Sequence, residues 1–260
     1  MKQPLLIKFL TVVFVFIFNS MLLAQVADSA AVKEKNNILK INVPALFLKN
    51  ISVQYEKKVS RKNSFAIAMR YRPNTNIPFK KMVEDLITDT LVKTDLFKVG
   101  NIGITPEYRF YLGKKGAFHG FYIGPFISYN HYESYVPVNY IDYVDNVIIN
   151  KTATFKGGAN TFTAGFQLGA QWKLSDKIYL DWWITGPNYG FVNGAFNFAG
   201  ALNDIEQISL ESELKKIQLV VPLNVIEIPK GSPNASGASF NVKGSWAGIR
   251  AFGLNVGYRF

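Results

Sequence analysis

Phe252-Gly-Leu-Asn-Val-Gly-Tyr-Arg-Phe260 closes the chain and decides how the rest is read. Phe252, Leu254, Val256, Tyr258 and Phe260 alternate with Gly253, Asn255, Gly257 and Arg259. A period of two, with large apolar groups on one face and small or polar groups on the other, describes a β-strand. Soluble sandwiches seldom end on such a strand with an aromatic as the last residue. The closing strand of an outer-membrane barrel does, with apolar side chains toward lipid and small polar ones toward the lumen. The five apolar positions are therefore read as a C-terminal assembly signal, and the barrel-assembly machinery as a partner.

The N-terminus points to the same compartment. Lys2 and Lys8 flank a short basic start, an apolar run covers Phe9 to Phe18, and Leu22-Leu23-Ala24 precedes Gln25. This layout predicts a secretory signal over 1–24, cleaved after Ala24. The rival membrane-anchoring helix needs about 20 apolar residues, and Asn19-Ser20 interrupt the run. Residues 25–37 are expected to form an N-terminal periplasmic segment and 38–260 the barrel.

Cysteine is absent, which excludes disulfides, thiol catalysis, Cys-ligated zinc and iron–sulfur sites and a lipid-modified N-terminal cysteine. Aromatics make up 15% of the chain, yet mean hydropathy is only +0.07. Lumen and lipid faces cancel in this way in a barrel. The formal charge is +11, or +9 without Lys2 and Lys8. Export to the envelope makes outer-membrane lipid and lipopolysaccharide phosphates the expected anionic partners, with no nucleic acid.

Eight strands follow from the period of two. They lie near 38–48, 51–59, 64–72, 102–112, 117–130, 161–172, 178–185 and 246–260. Pro44 is awkward in the first, because it removes a ladder donor. Ser60–Asn63, Gly113–Gly116 and Leu174–Lys177 read as tight polar turns. The stretches 73–98, 131–157 and 185–245 read as long loops. Short turns at the periplasmic end and long loops outside are the asymmetry of outer-membrane barrels. The fold class is thus all-β: an eight-stranded antiparallel transmembrane β-barrel, with loop helices expected at Pro78–Leu91 and over 203–219. Residues 230–239 read as a flexible polar linker. A lipocalin-like soluble barrel would carry apolar side chains inside. Here the small residues share the polar face, which favours the membrane form.

Several segments are similar to a family of uncharacterised bacterial outer-membrane barrels known only as a domain of unknown function. They are Asn101-Ile-Gly-Ile-Thr-Pro-Glu-Tyr-Arg-Phe-Tyr-Leu-Gly113, Gly120-Phe-Tyr-Ile-Gly-Pro-Phe126, Leu180-Asp-Trp-Trp-Ile-Thr-Gly-Pro-Asn-Tyr-Gly190 and the Gly-Tyr-Arg-Phe end. The resemblance implies a small barrel of the OmpA/OmpX type and brings no activity, substrate or site with it.

Lumen parity gathers Lys40, Glu56, Arg70, Arg72, Glu107, Arg109, Asp181 and Arg259. A carboxylate enclosed in a narrow bore needs a cationic partner, and Arg offers a bidentate one. An ion-paired plug is the expected arrangement; a gated ion path is the alternative. His119 and His131 are the only histidines, and their separation forms no metal cluster. His131-Tyr-Glu133-Ser134 holds the residue types of a lipid hydrolase, but strand alternation turns Ser134 away from His131. His119 has lipid parity and reads as an interfacial ring. Tyr132, Tyr135, Tyr140 and Tyr143 are candidates for contact with an extracellular protein or glycan; an aromatic belt extending into the loop is the other reading. No catalytic residue, metal or cofactor is assigned. The expected function is a non-enzymatic outer-membrane protein serving adhesion, envelope integrity or docking. The alternatives are a lipid A-modifying enzyme and a narrow pore.

Overall fold

The computed structural model describes residues 35–76, 96–145, 147–220, 222–251 and 253–260. The expected leader, the start of the 25–37 segment, the Pro78–Leu91 helix and Phe252 lie outside these residues. Eleven strands form one antiparallel sheet: β1 (Asn37–Asn42), β2 (Ile51–Lys58), β3 (Asn63–Asn76), β4 (Lys98–Tyr111), β5 (Gly120–Val144), β6 (Val147–Lys173), β7 (Ile178–Thr185), β8 (Pro187–Ala199), β9 (Ile226–Glu227), β10 (Gly237–Ile249) and β11 (Gly253–Arg259). Strands β1 to β7 follow one another round the sheet, and β11 pairs with both β7 and β1. The result is a closed ring of eight strands. Helix α1 (Val43–Phe47) joins β1 to β2, and α2 (Asp204–Val220) lies between β8 and β9. Among the described residues, no helix is long and apolar enough to cross a membrane.

The short turns 59–62, 112–119 and 174–177 all lie at one end of the ring. Within it the two faces are chemically opposite. Ser52, Gln54 and Glu56 on β2 point inward and are buried, as do Thr105, Glu107 and Arg109 on β4. Phe121, Ile123 and Ile127 on β5 and Phe162, Phe166 and Leu168 on β6 point outward and are exposed.

Four expectations need correction. The first strand stops at Asn42 rather than continuing to residue 48. Pro44 cannot donate to the ladder but suits a first helical turn, and the Asn42 carboxamide caps that turn by accepting from the Ala45 N–H at 3.0 Å. The stretch 131–157 is not a loop: β5 and β6 stay paired out to Val144 and Val147. The stretch 185–245 contains β8, α2, β9 and β10, so the far ends of β5, β6, β8 and β10 form a sheet rising beyond the ring. Residues 230–239 are not a free linker. Ser232 Oγ accepts from the Ser239 N–H at 2.7 Å, and Asn234 bridges Gly237 through paired backbone bonds.

Where ring meets extension, strand parity reverses. β7 turns Tyr179, Asp181 and Trp183 inward, whereas β8, after Gly186, turns Val192 and Phe196 inward. The β6–β7 ladder slips at the same level, between Leu168 and Gly169. Facing it, β10 directs Phe240, Val242 and Trp246 inward, while β11 directs Gly253, Asn255 and Gly257 inward. The Arg250 N–H donates to Gly186 O at 2.8 Å, tying the two irregularities together. The slip adds one residue to β7 against β6, and with a side-chain period of two that moves every later residue to the other face; β10 and β11 follow, because they pair with β8 and β7 in one continuous register.

Helix α2 covers the inward face of the extension. Leu210 and Leu214 are fully buried against Val138, Tyr140, Phe155 and Phe240. The helix is started by a reciprocal cap, in which Asn203 Oδ1 accepts from the Glu206 N–H (2.9 Å) and Glu206 Oε2 from the Asn203 N–H (2.8 Å). Lys151 then pins it by donating to Asp142 (2.7 Å) and Glu206 (2.6 Å).

Candidate functional site

The interior of the ring is layered from the turn end upward. Arg259 closes the bottom, its guanidinium 5.5 Å from the Phe118 ring and donating to the Tyr179 hydroxyl at 2.7 Å. Above it, Ile38 packs with Tyr111, Phe118, Tyr122 and Tyr179 in a buried, mainly aromatic cluster. His119, expected on the outer face, sets its ring edge against Tyr179 at 6.0 Å, because the positive φ of Phe118 twists the chain there.

The ionic layer comes next. Lys40 pairs with Glu56 and with Asp181 (2.6 Å). Arg109 donates Nε to Glu107 (2.8 Å), Nη1 to Asp181 (2.8 Å) and to Glu56 (3.2 Å), and Nη2 to Gln54 (3.1 Å). Its plane lies 4.2 Å from the Tyr122 ring centre. Tyr111 donates to Glu56 (2.6 Å), Tyr122 to Asp181 (2.9 Å), and Ser64 to Glu56. Glu107 takes a second cation, Arg250, at 2.7 Å. Lys40, Glu56, Glu107, Arg109 and Asp181 are each at most 1% exposed. Three carboxylates thus meet three cations, and the formal charges cancel. Charges removed from water persist when paired and hydrogen-bonded in this way. Small residues make room: a Cβ on Gly169 would sit 2.3 Å from the Tyr122 ring.

Of the sequence-derived residues, the structure brings Lys40, Glu56, Glu107, Arg109 and Asp181 together. Arg70 lies apart, farther toward the extension, and Arg72 Nη2 donates to Asn76 O at the end of β3. Arg250, Tyr111, Tyr122, Gln54 and Gln171 complete the layer. Arg250 was missed because even numbers face outward on β11, and only the break before Gly253 turns it in. An arginine at apparent lipid parity was the available signal.

Above the ionic layer lies a cavity of about 470 Å³. Its floor is Arg250, stacked 3.8 Å over Trp183 and 5.4 Å from Phe126. Ser52, Thr105, Ser128, Asn130, Thr161 and Thr163 supply hydroxyls and an amide to its wall, and Arg70 and Tyr132 line it on the side of the extension. Four buried polar atoms of lining residues have no hydrogen-bond partner: Arg250 Nη2, Trp183 Nε1, Thr161 Oγ1 and Asn50 Oδ1.

The tyrosine candidates lie on β5 and divide by strand alternation. Tyr132 lines the cavity and Tyr140 is buried under α2, so neither is a surface contact. Tyr135 packs with Lys156, whose Nζ is 5.7 Å from its ring, and Tyr143 is exposed near the tip. Ser134 donates to Lys98 O (2.8 Å), while the His131 ring nitrogen meets Asn160 (2.8 Å) on the opposite face. Leu254, Val256 and Tyr258 face outward on β11, and Phe260 N donates to Asn37 O at 3.0 Å. Among the described residues, no group of three or more His, Cys, Asp or Glu side chains is placed to hold a metal.

A family profile described as a protein of unknown function, DUF3575, matches residues 12–197. The chain belongs to that family. The matched span includes Lys40, Glu56, Glu107, Arg109 and Asp181, whereas α2, Arg250 and the closing strand β11 lie beyond it. No curated protein and no solved structure matches the chain.

Proposed function

We propose that this DUF3575 protein is an integral outer-membrane β-barrel of the small OmpA/OmpX kind, exported by a cleaved signal and non-enzymatic, with the extension as its contact surface. One observation carries the reading: the burial pattern is inverted. Buried charges fill the inside of the ring, while Phe121 and Phe166 stand 60% and 62% exposed on its outside. A contiguous apolar surface of this kind marks contact with lipid or another apolar phase.

The belt has a sharp upper edge. Tyr129, Phe162 and Phe191 share one register row across β5, β6 and β8; His131, Asn160 and Asn193 form the next. On β6 the outward apolar positions run from Trp172 to Phe162, which is about 33 Å of strand at ~3.3 Å per residue. At the ~40° tilt usual for such strands the belt is about 25 Å tall, the height of an outer-membrane apolar band. Lipid and lipopolysaccharide are then the partners of the belt, and the barrel-assembly machinery the partner of its closing strand. Above the belt, the β5–β6 tip exposes Tyr143, Val144, Val147 and Ile148, a small apolar patch suited to an extracellular protein or glycan. The paired ionic layer argues against a conducting bore.

The test compares boiled and unboiled samples of isolated membranes on a gel. The proposal expects an outer-membrane band whose mobility changes on boiling. A band in the soluble periplasm, with unchanged mobility, overturns it.

A further inference from the structure

The cavity above the ionic layer has a chemistry that closing the ring does not require. Below it, three cations and three carboxylates cancel. Within it stand two guanidinium groups of like charge, Arg70 and Arg250, and no acidic side chain is among the lining residues. Glu107 occupies Arg250 Nη1 only, leaving Nη2 without a partner. Arg70 has no ion-pair partner among the described residues. Buried polar atoms normally have hydrogen-bond partners. Here four without one belong to residues lining the same cavity.

The remaining lining says what would satisfy them. Trp183, Trp246, Tyr132 and Phe126 contribute aromatic surface, and Ser52, Thr105, Ser128, Asn130, Thr161 and Thr163 contribute hydroxyls and an amide. Paired arginines recognise a carboxylate or phosphate. Aromatic faces pack against the C–H surface of a ring, and a wall of alternating donors and acceptors suits a ligand with many hydroxyls. The volume, about 470 Å³, lies within the range of about 300–1,000 Å³ usual for small-molecule sites.

We propose that this cavity binds a small acidic saccharide, its anionic group held by Arg250 Nη2 and Arg70 and its ring against Trp246 and Tyr132. The inference concerns the interior of the ring and holds whether or not the outer face meets lipid. Carboxylate and phosphate share the required chemistry, so both are tested.

The full chain, purified in detergent, is titrated with glucuronate, glucose 6-phosphate, glucose and inorganic phosphate. Tryptophan emission and calorimetry report binding, and near-ultraviolet circular dichroism reports folding. Saturable binding of glucuronate or of glucose 6-phosphate is expected, identifying the anionic group the site prefers. Glucose and inorganic phosphate should bind at least about tenfold more weakly, the effect of one charged hydrogen bond. Arg70→Gln should weaken the acidic sugar by a similar factor while leaving the dichroism unchanged. Thr161→Val, which removes an unpartnered hydroxyl without touching the ionic layer, should weaken it less. Absence of saturable binding by either acidic sugar overturns the proposal. So does equal binding of inorganic phosphate, or undiminished binding by a folded Arg70→Gln protein.

Discussion

Asp181→Ala is the perturbation that most directly probes the ionic layer. The Asp181 carboxylate accepts from Lys40 (2.6 Å), Arg109 (2.8 Å) and Tyr122 (2.9 Å), and it is fully buried. Its removal leaves two carboxylates, Glu56 and Glu107, facing Lys40, Arg109 and Arg250, so the layer acquires one uncompensated positive charge. Breaking a buried pair in this way costs about 3–5 kcal/mol, or roughly two to four orders of magnitude in the unfolding equilibrium. Lys40→Met combined with Asp181→Ala restores neutrality, because Arg109 and Arg250 then face Glu56 and Glu107. Glu56 still accepts from Arg109, Tyr111 and Ser64. The double variant should lie closer to the parent than Asp181→Ala does, with a coupling energy of about 1.5–3 kcal/mol. Reversible urea unfolding in lipid vesicles, read by tryptophan emission, measures each. A loss below about 1 kcal/mol for the single variant, or additive costs without coupling, refutes the claim that the layer is one charge-balanced unit.

Other expectations follow from the same geometry. Leu214→Ala should cost about 2–5 kcal/mol of local stability, exposing 204–220 to protease while the ring keeps its unfolding midpoint; a common midpoint shift would show that helix and ring unfold together. Gly169→Ala drives a Cβ into the Tyr122 ring and should destabilise the ring by about 1–3 kcal/mol, seen as a lowered urea midpoint. Acid should release α2 before it affects the ring. Hydrogen bonds from Asn203 and then Lys151 hold the Asp142 carboxyl below its ordinary value. A lowered carboxylate contributes stability above its unfolded pKa of about 3.9 and loses it as pH falls through the folded value. Hydrogen exchange in α2 should therefore quicken below about pH 4, and Asp142→Asn should remove that dependence. Hydrogen bonds to Asp142 and then Glu206 raise the Lys151 ammonium instead, so its contribution persists through neutral pH and is lost only in strong alkali.

The period of two carries the ring well, since lumen and outer residues alternate without interruption along β2, β4 and β11. It also places Lys40, Glu56, Glu107, Arg109 and Asp181 on one face, although only the pairing register sets them within hydrogen-bond reach. The extension was hidden for a definite reason. Beyond Gly186 on one strand and before Gly253 on the other, parity reverses, and alternation counted through the break assigns Trp246 and Arg250 to the wrong side. The inward face of the extension is apolar and its outer face, short of the β5–β6 tip, polar, opposite to the ring, so the stretch resembles an ordinary polar loop. Helix α1 was concealed by good β-formers around Pro44, although Asn42 followed by proline is itself a helix-start signal. In α2, Glu206 and the cap at Asn203 mark the start, while Leu210 and Leu214 form the buried face among scattered apolar neighbours, next to Leu202 just before the helix.

Whether the outer face of the ring contacts lipid can be read from the chain's four tryptophans. Trp172 and Trp182 stack on the outside, 6.5 Å apart, whereas Trp183 and Trp246 line the interior cavity. Two variants, one keeping the outer pair and one the inner pair, are reconstituted into bilayers with bromine on the lipid acyl chains. Strong quenching of Trp172 and Trp182, with Trp183 and Trp246 largely spared, is the predicted result. Unquenched emission from the outer pair, in protein shown to be folded and bilayer-associated, would contradict a lipid-facing belt.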